Sequence, residues 1–219
     1  MAYYLNFQLV YKYIPDFLKG LGLGLYLAAI SLFIGMILGI LLAFCAISRH
    51  RWLRNLSGLY VTILRNVPLL VLIFICYFGL PDTGLILSKH ASFVTALSLY
   101  AGAYLTEVFR AGLQGISRGI VEAGLAIGLR KRQIIRFIQL PIMFRNVMPS
   151  LSNNFISLFK DTSLASSIAV IELTYLARKV NTLTFRVIEV WVIVGLMYML
   201  TCYLIAFLLR MLERRLRIR

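Results

Sequence analysis

Eight acidic residues, three cysteines and two histidines are all that this chain of 219 residues holds of the groups most used in catalysis and metal binding. Cys45, Cys76 and Cys202 stand far apart inside apolar runs, so they read as small core residues and not as a disulfide or a metal set. His50 and His90 have no neighbours at ligand spacing, which argues against metal chemistry. A GxxxxGK[ST] phosphate loop is missing, as are a helical HExxH and any Cys–His or Ser–His arrangement. Neither ATP hydrolysis nor another enzymatic activity is therefore expected of this chain. The N-terminus has no basic n-region, and its first long apolar run starts late and is too long for an h-region, which speaks against a cleavable signal peptide.

What the chain has instead is hydrocarbon. Hydrophobic residues make up 61% of it and charged residues 14%, with a mean hydropathy of +0.87. Several apolar runs exceed the ~20 residues that cross a ~30 Å bilayer core. The composition predicts an all-α, polytopic helical membrane protein with about five spans, at 18–47, 56–80, 92–117, 146–170 and 187–211. Residues 1–219 then form one transmembrane domain with no room for a separate soluble one. A β-barrel would show short alternating segments instead.

The formal charge of +15 would suggest nucleic acid in a soluble protein, but here its distribution gives topology. Arg49, Arg51 and Arg54 fall in the first loop. Arg118, Arg130, Lys131, Arg132, Arg136 and Arg145 lie in or beside the third, and Arg214, Arg215, Arg217 and Arg219 at the C-terminus. The positive-inside rule makes these regions cytoplasmic and, with an odd number of spans, puts the N-terminus outside. Residues 1–17, with Tyr3, Tyr4, Phe7, Tyr11, Tyr13 and Phe17, read as a short interfacial segment on that outer face.

Polar groups inside the spans narrow the function. Asp161, beside Lys160, would lie roughly 18 Å along a fourth span entered near Pro149, close to the midplane. Buried charge there faces either a cavity or a partner helix. Both readings stay open, and Thr162, Ser163 and Ser166 add hydroxyls. In the second span Pro68 removes a donor and disfavours helix at Val67, so a kink or break is expected. Broken helices at membrane depth recur in transport sites. Arg65, with Asn66 next to it, would either hold a substrate carboxylate or pair internally, with Asp161 as one candidate partner. Glu107 and Arg110 are spaced for a structural i,i+3 pair. Glu172 and Glu189 read as solvated or docking residues near the outer surface. Gly20, Gly24, Gly35 and Gly39 form small-xxx-small steps that serve either a subunit interface or packing within the chain.

The segment Glu122–Pro141, EAGLAIGLRKRQIIRFIQLP, lies between two spans. Its acidic–small–small start, following glycine and closing Ile-x-Leu-Pro resemble the EAA loop of ATP-binding-cassette (ABC) importer permeases, with Gly124 where alanine is usual. RNVPLL (Arg65–Leu70), AYLTEVFRAGLQGISRG (Ala103–Gly119) and KDTSLAS (Lys160–Ser166) extend the resemblance to the polar-amino-acid branch over nearly the whole length. It implies the type I importer permease fold, in which 118–141 is a cytoplasmic coupling loop. It implies partners too: an ABC ATPase dimer that binds ATP and Mg, an extracytoplasmic amino acid binding protein, and a second copy or a homologous permease. No cofactor is expected in this chain, and no nucleic acid partner. The location implied is the bacterial inner membrane. Glu122, Ala123, Gly124, Gly128, Arg130 and Pro141 are the expected coupling residues. Glu122 would act at a helix N-terminus, the small residues would enter a partner groove, and Pro141 would stop the turn before the next span. Arg65, Asn66, Asp161, Thr162 and Ser163 are the expected substrate contacts. The RN-x-PLL form leans to glutamate or aspartate, with basic amino acids as the alternative. An ATP-independent carrier is the competing class.

Overall fold

A computed structural model describes residues 4–216; Tyr3 of the interfacial segment and Arg217 and Arg219 of the basic C-terminus lie outside the described residues. The described residues are helical almost throughout. A four-residue helix α1 (Gln8–Tyr11) leads directly into the 33-residue α2 (Ile14–Ala46), with Pro15 in its first turn, where the missing N–H has no helical partner to lose. After α3 (Arg51–Asn66) and α4 (Leu69–Phe74) comes α5 (Lys89–Gln114), whose N-cap Ser88 accepts from the Ala91 N–H. Then follow the short α6 (Arg118–Ala126) and α7 (Lys131–Ile134), the long α8 (Leu140–Asp161), α9 (Leu173–Thr184) and α10 (Val187–Leu216).

Hydropathy alone marks α2 and α10 as long and apolar enough to cross a membrane, with α3 and α4 a third if the bent pair counts as one span. α5 and α8 reach spanning length, roughly 39 and 33 Å at 1.5 Å per residue, yet carry more polar and small residues. For α5 the reason is its place: Phe93, Ala96, Leu97, Ala101, Leu105 and Phe109 are buried against neighbouring helices. A helix shielded from lipid by protein need not be apolar all round.

Glycine brings these helices together within the chain. A methyl group built on Gly35 would lie 2.8 Å from Ala101 Cβ, and one on Gly39 2.8 Å from Leu105 Cβ, so α2 and α5 touch nearly backbone to backbone. Gly24 sits against Thr162, and Gly20 against the Glu172–Leu173 backbone. All four glycines of the small-xxx-small pattern therefore serve packing inside the subunit. Side-chain bonds to backbone oxygens add to it: Ser57 Oγ donates to Leu42 O at 2.9 Å and Tyr60 Oη to Leu99 O at 2.7 Å, tying α3 to α2 and α5.

Two expected spans are not single straight helices. The stretch 56–80 divides at Val67–Pro68, where Val67 is extended (φ −98°, ψ 130°) and the two arms diverge by 103°. The proline's steric demand on the preceding residue accounts for the break. The fourth segment begins earlier than expected. Helical geometry runs on from α7 through a π-turn (Ile135–Gln139) into α8, so Pro149 lies inside the helix and not in its first turn. Pro141 does not stop a turn either. It occupies the first turn of α8, immediately after the widened π-turn, where a residue without an N–H is absorbed. At its far end α8 tightens into a 3-10 turn over Thr162–Ile168.

Candidate functional site: two clefts at Tyr104 and the α6 surface

Arg65 and Asp161 are nearly a hundred positions apart, and α5 brings their surroundings together. Arg65 sits in the last turn of α3, just before the break, where a cation meets the negative end of the helix dipole. Its guanidinium lies 5.0 Å from the centroid of the Tyr104 ring, a cation–π contact. A cleft of about 310 Å³ at this point is lined by Thr62, Arg65, Asn66 and Tyr104. A second, of about 290 Å³, is lined by Tyr100, Tyr104, Asn154, Ser157 and Asp161. Tyr104 borders both, and Tyr100 Oη donates to Tyr104 Oη at 3.2 Å.

The internal-pair readings do not hold here. Among the described residues neither Arg65, Lys160 nor Asp161 is in an ion pair; the pairs are Asp16–Lys19, Glu107–Arg110 and Glu189–Arg186. Asp161 is the last residue of α8, half-buried in the cleft wall, whereas Lys160 is exposed and lines neither cleft. Asn66 Nδ2 donates to Thr62 O at 2.7 Å. Thr162 turns away: it is fully buried, its hydroxyl donates to Phe159 O at 2.6 Å, and it packs on Gly24. Ser163 is half-buried, and its carbonyl accepts the Ser166 hydroxyl at 2.8 Å.

At the other end of the bundle, Glu122–Pro141 forms a helix, a sharp turn and the approach to α8. α6 starts at Arg118, so Glu122 stands in mid-helix, one turn away from the N-terminal end expected for it. The helix stops by local chemistry. Gly128 is left-handed (φ +82°), its N–H donates to Leu125 O at 3.0 Å, and the Leu129 N–H donates to Gly124 O at 3.1 Å. This is a Schellman stop, which a Cβ at Gly128 would strain. Gly124 is buried, and a methyl there would come 2.8 Å from Ile138 Cδ1. It seats α6 on the π-turn and does not offer itself to a groove outside. Glu122, Ala123, Leu125, Ala126, Ile127, Gly128 and Arg130 are exposed. Arg130 caps α7, its N–H donating to Gln133 Oε1 at 2.8 Å. Pro141 is exposed at the start of α8.

Residues 35–218 match the family described as "Binding-protein-dependent transport system inner membrane component". The chain belongs to this family. The permease is 32% identical over 214 residues to the arginine transport system permease protein ArtQ of Bacillus subtilis (strain 168), covering 97% of this chain and 98% of ArtQ. It is 32% identical over 216 residues to the glutamine transport system permease protein GlnP of Escherichia coli (strain K12), at 97% and 98% coverage. The crystal structure of an amino acid ABC transporter with histidines contains a chain that superposes with a TM-score of 0.87 at 29% identity, covering 97% of this permease and 100% of that chain. The permease therefore has the type I importer permease fold and is of the polar amino acid ABC importer kind, as its motifs imply.

The permease also contains two acidic side chains that its sequence misplaces. Glu172 and Glu189 are fully buried, not solvated. Glu172 caps α9, accepting the N–H groups of Thr174 and Tyr175, both at 2.8 Å, and the hydroxyl of Tyr198 from α10 at 3.2 Å. Glu189 accepts the Asn6 N–H at 2.8 Å and lies 3.5 Å from Arg186 Nη1, which in turn donates to Tyr4 O at 2.8 Å. The N-terminal segment is thus stitched to the start of α10. Glu107 and Arg110 do form the expected pair, and Arg110 also donates to Gln114 Oε1 at 3.0 Å. Tyr104, Tyr100, Asn154 and Ser157 are not among the contacts expected from the sequence, although Tyr104 lies in the Ala103–Gly119 motif. Only the i,i+4 spacing of the two tyrosines hints at a shared face.

Proposed function

We propose that this permease, paired with a second copy or a homologous permease, forms the pathway of an ATP-driven importer for polar amino acids. The observation that carries the reading is a cation and an anion without internal ion-pair partners, Arg65 and Asp161, on two clefts that meet at Tyr104. That arrangement suits a zwitterion. The guanidinium offers two parallel donors to an α-carboxylate, and the carboxylate of Asp161 accepts from an α-ammonium. Asn154 and Ser157 remain for a polar side chain. A preference for glutamate or aspartate would ask for a second cation at the clefts. Lys160 lines neither, so the substrate class is that of the relatives as a group, which are named for arginine and glutamine.

In this reading the basic end of the bundle faces the bacterial cytoplasm and the N-terminus the outside, where a binding protein delivers the amino acid. ATP and Mg bind on ATPase subunits that dock against the exposed side of α6, around Glu122, Ala123 and Ile127. Closure of the ATPases swings α6 and reorients the clefts. Reconstitution with the cognate ATPase and binding protein in proteoliposomes tests this. ATP-dependent uptake that Gly128→Asp abolishes is the expected result. Uptake driven by an ion gradient with no ATPase present would overturn it in favour of a secondary carrier.

A further inference from the structure

A cleft of about 550 Å³ at the basic end has no part in the pathway described above. One wall is the corner after α2, with Arg49 and His50; the other is the start of α7, with Lys131. Between them runs an apolar floor that includes Phe44, Leu125 and Ile135. Glu122 is absent from this lining and borders a separate cleft beside Gln114 of α5 and Arg118 of α6. No acidic residue lines the basic cleft, and among the described residues neither Arg49 nor Lys131 has an acidic partner within 4.0 Å. Two segments some eighty residues apart in sequence thus present cations to one space, above a floor that begins where the apolar span α2 ends.

We propose that this cleft binds an anionic phospholipid. The lipid phosphate lies between Arg49, His50 and Lys131, and part of an acyl chain covers Phe44, Leu125 and Ile135. Basic pockets between helices at a cytoplasmic surface select anionic headgroups, because the surface charge and the specific contacts act together. A free anion would satisfy the cations but leave the apolar floor wet. An amphiphile covers both. The cleft is walled on one side by α6 and by the π-turn that receives Gly124, so an occupied cleft braces α6 against the α2–α3 corner. The proposal takes only the orientation of the basic end from the proposed function.

The test is lipid retention by the purified permease, alone and with the ATPase bound, drawn from vesicles of phosphatidylglycerol and phosphatidylcholine and read by native mass spectrometry without nucleotide or amino acid. Failure of the transport reading would leave this measurement untouched. The wild type retains phosphatidylglycerol in preference. Arg49→Gln or Lys131→Gln lowers that preference about fivefold each, and the double variant about thirtyfold, with unchanged thermal midpoints. Leu125→Asp, which spares the cations, lowers it as well. Equal retention by wild type and double variant overturns the proposal. So does displacement of the lipid by millimolar inorganic phosphate, which would make this a plain anion site. Loss of the lipid whenever the ATPase is bound would assign the cleft to an acidic surface of that partner and overturn it too.

Discussion

Replacing Glu172 by alanine removes the acceptor for three donors at once: the N–H groups of Thr174 and Tyr175 and the hydroxyl of Tyr198. The site is sealed from solvent, so water cannot take the carboxyl group's place without repacking. Loss of a helix N-cap alone costs about 1 kcal/mol. Orphaning buried donors costs more: at about 1–3 kcal/mol for each, and with Tyr198 keeping the Thr174 hydroxyl as a partner, the two N–H groups together cost about 3–5 kcal/mol. Glu172→Gln keeps one acceptor oxygen but turns an NH₂ group toward a donor, so its cost is that of one orphaned group, about 1–3 kcal/mol. For a chain of this size each kcal/mol lowers the midpoint by roughly 2–4 °C. Alanine should therefore lower it by roughly 6–20 °C and glutamine by roughly 2–12 °C. Thermal unfolding of the purified complex in detergent, followed by near-ultraviolet circular dichroism, reads both. Equal shifts for the two variants, or a shift below roughly 2 °C for alanine, would refute the view that Glu172 fixes α9 to α10.

Gly39→Ala should destabilise by about 1–3 kcal/mol through the clash with Leu105, whereas Gly22→Ala and Gly195→Ala, with nothing within 4 Å, should be neutral or gain up to about 1 kcal/mol; the same melts separate them. At the α6 stop, Gly128→Asn should keep most ATP-driven uptake and Gly128→Val should lose it with the chain still folded, because only glycine and asparagine enter the left-handed cap readily. Tyr104→Phe should keep the aromatic face under Arg65 and change the apparent substrate affinity little. Tyr104→Ala should weaken it roughly two- to thirtyfold, the worth of a partly desolvated cation–π contact of about 0.5–2 kcal/mol; uptake at graded substrate concentration decides.

Features governed by neighbours along the chain are legible in the sequence. Pro68 imposes its break on Val67, the Glu107–Arg110 pair follows from helical spacing, and the motifs around Arg65, Glu122 and Lys160 point to the family. Features governed by which helix lies across the gap are not. Hydropathy places Glu172 near a span end, where water is the natural surrounding; Tyr198, arriving from α10, makes the site dry. The motif that begins at Glu122 suggests a helix terminus there, but α6 starts at Arg118. Gly124 looks available to a partner in the sequence, and Ile138 from the following turn covers it. Tyr104 stands inside the Ala103–Gly119 motif, but its place between Arg65 and the Asp161 cleft depends on how α3, α5 and α8 meet.

A zwitterion held between Arg65 and Asp161 is the centre of the proposed mechanism, and competition of uptake by two truncated substrates tests it most directly. The wild-type importer should reject both the decarboxylated amine and the deaminated acid of its amino acid, since each leaves one charged group of the site unmatched. Arg65→Gln should lose discrimination against the amine alone, and Asp161→Asn against the deaminated acid alone. Variants that keep full discrimination against both analogues, or lose both together, would contradict the assignment.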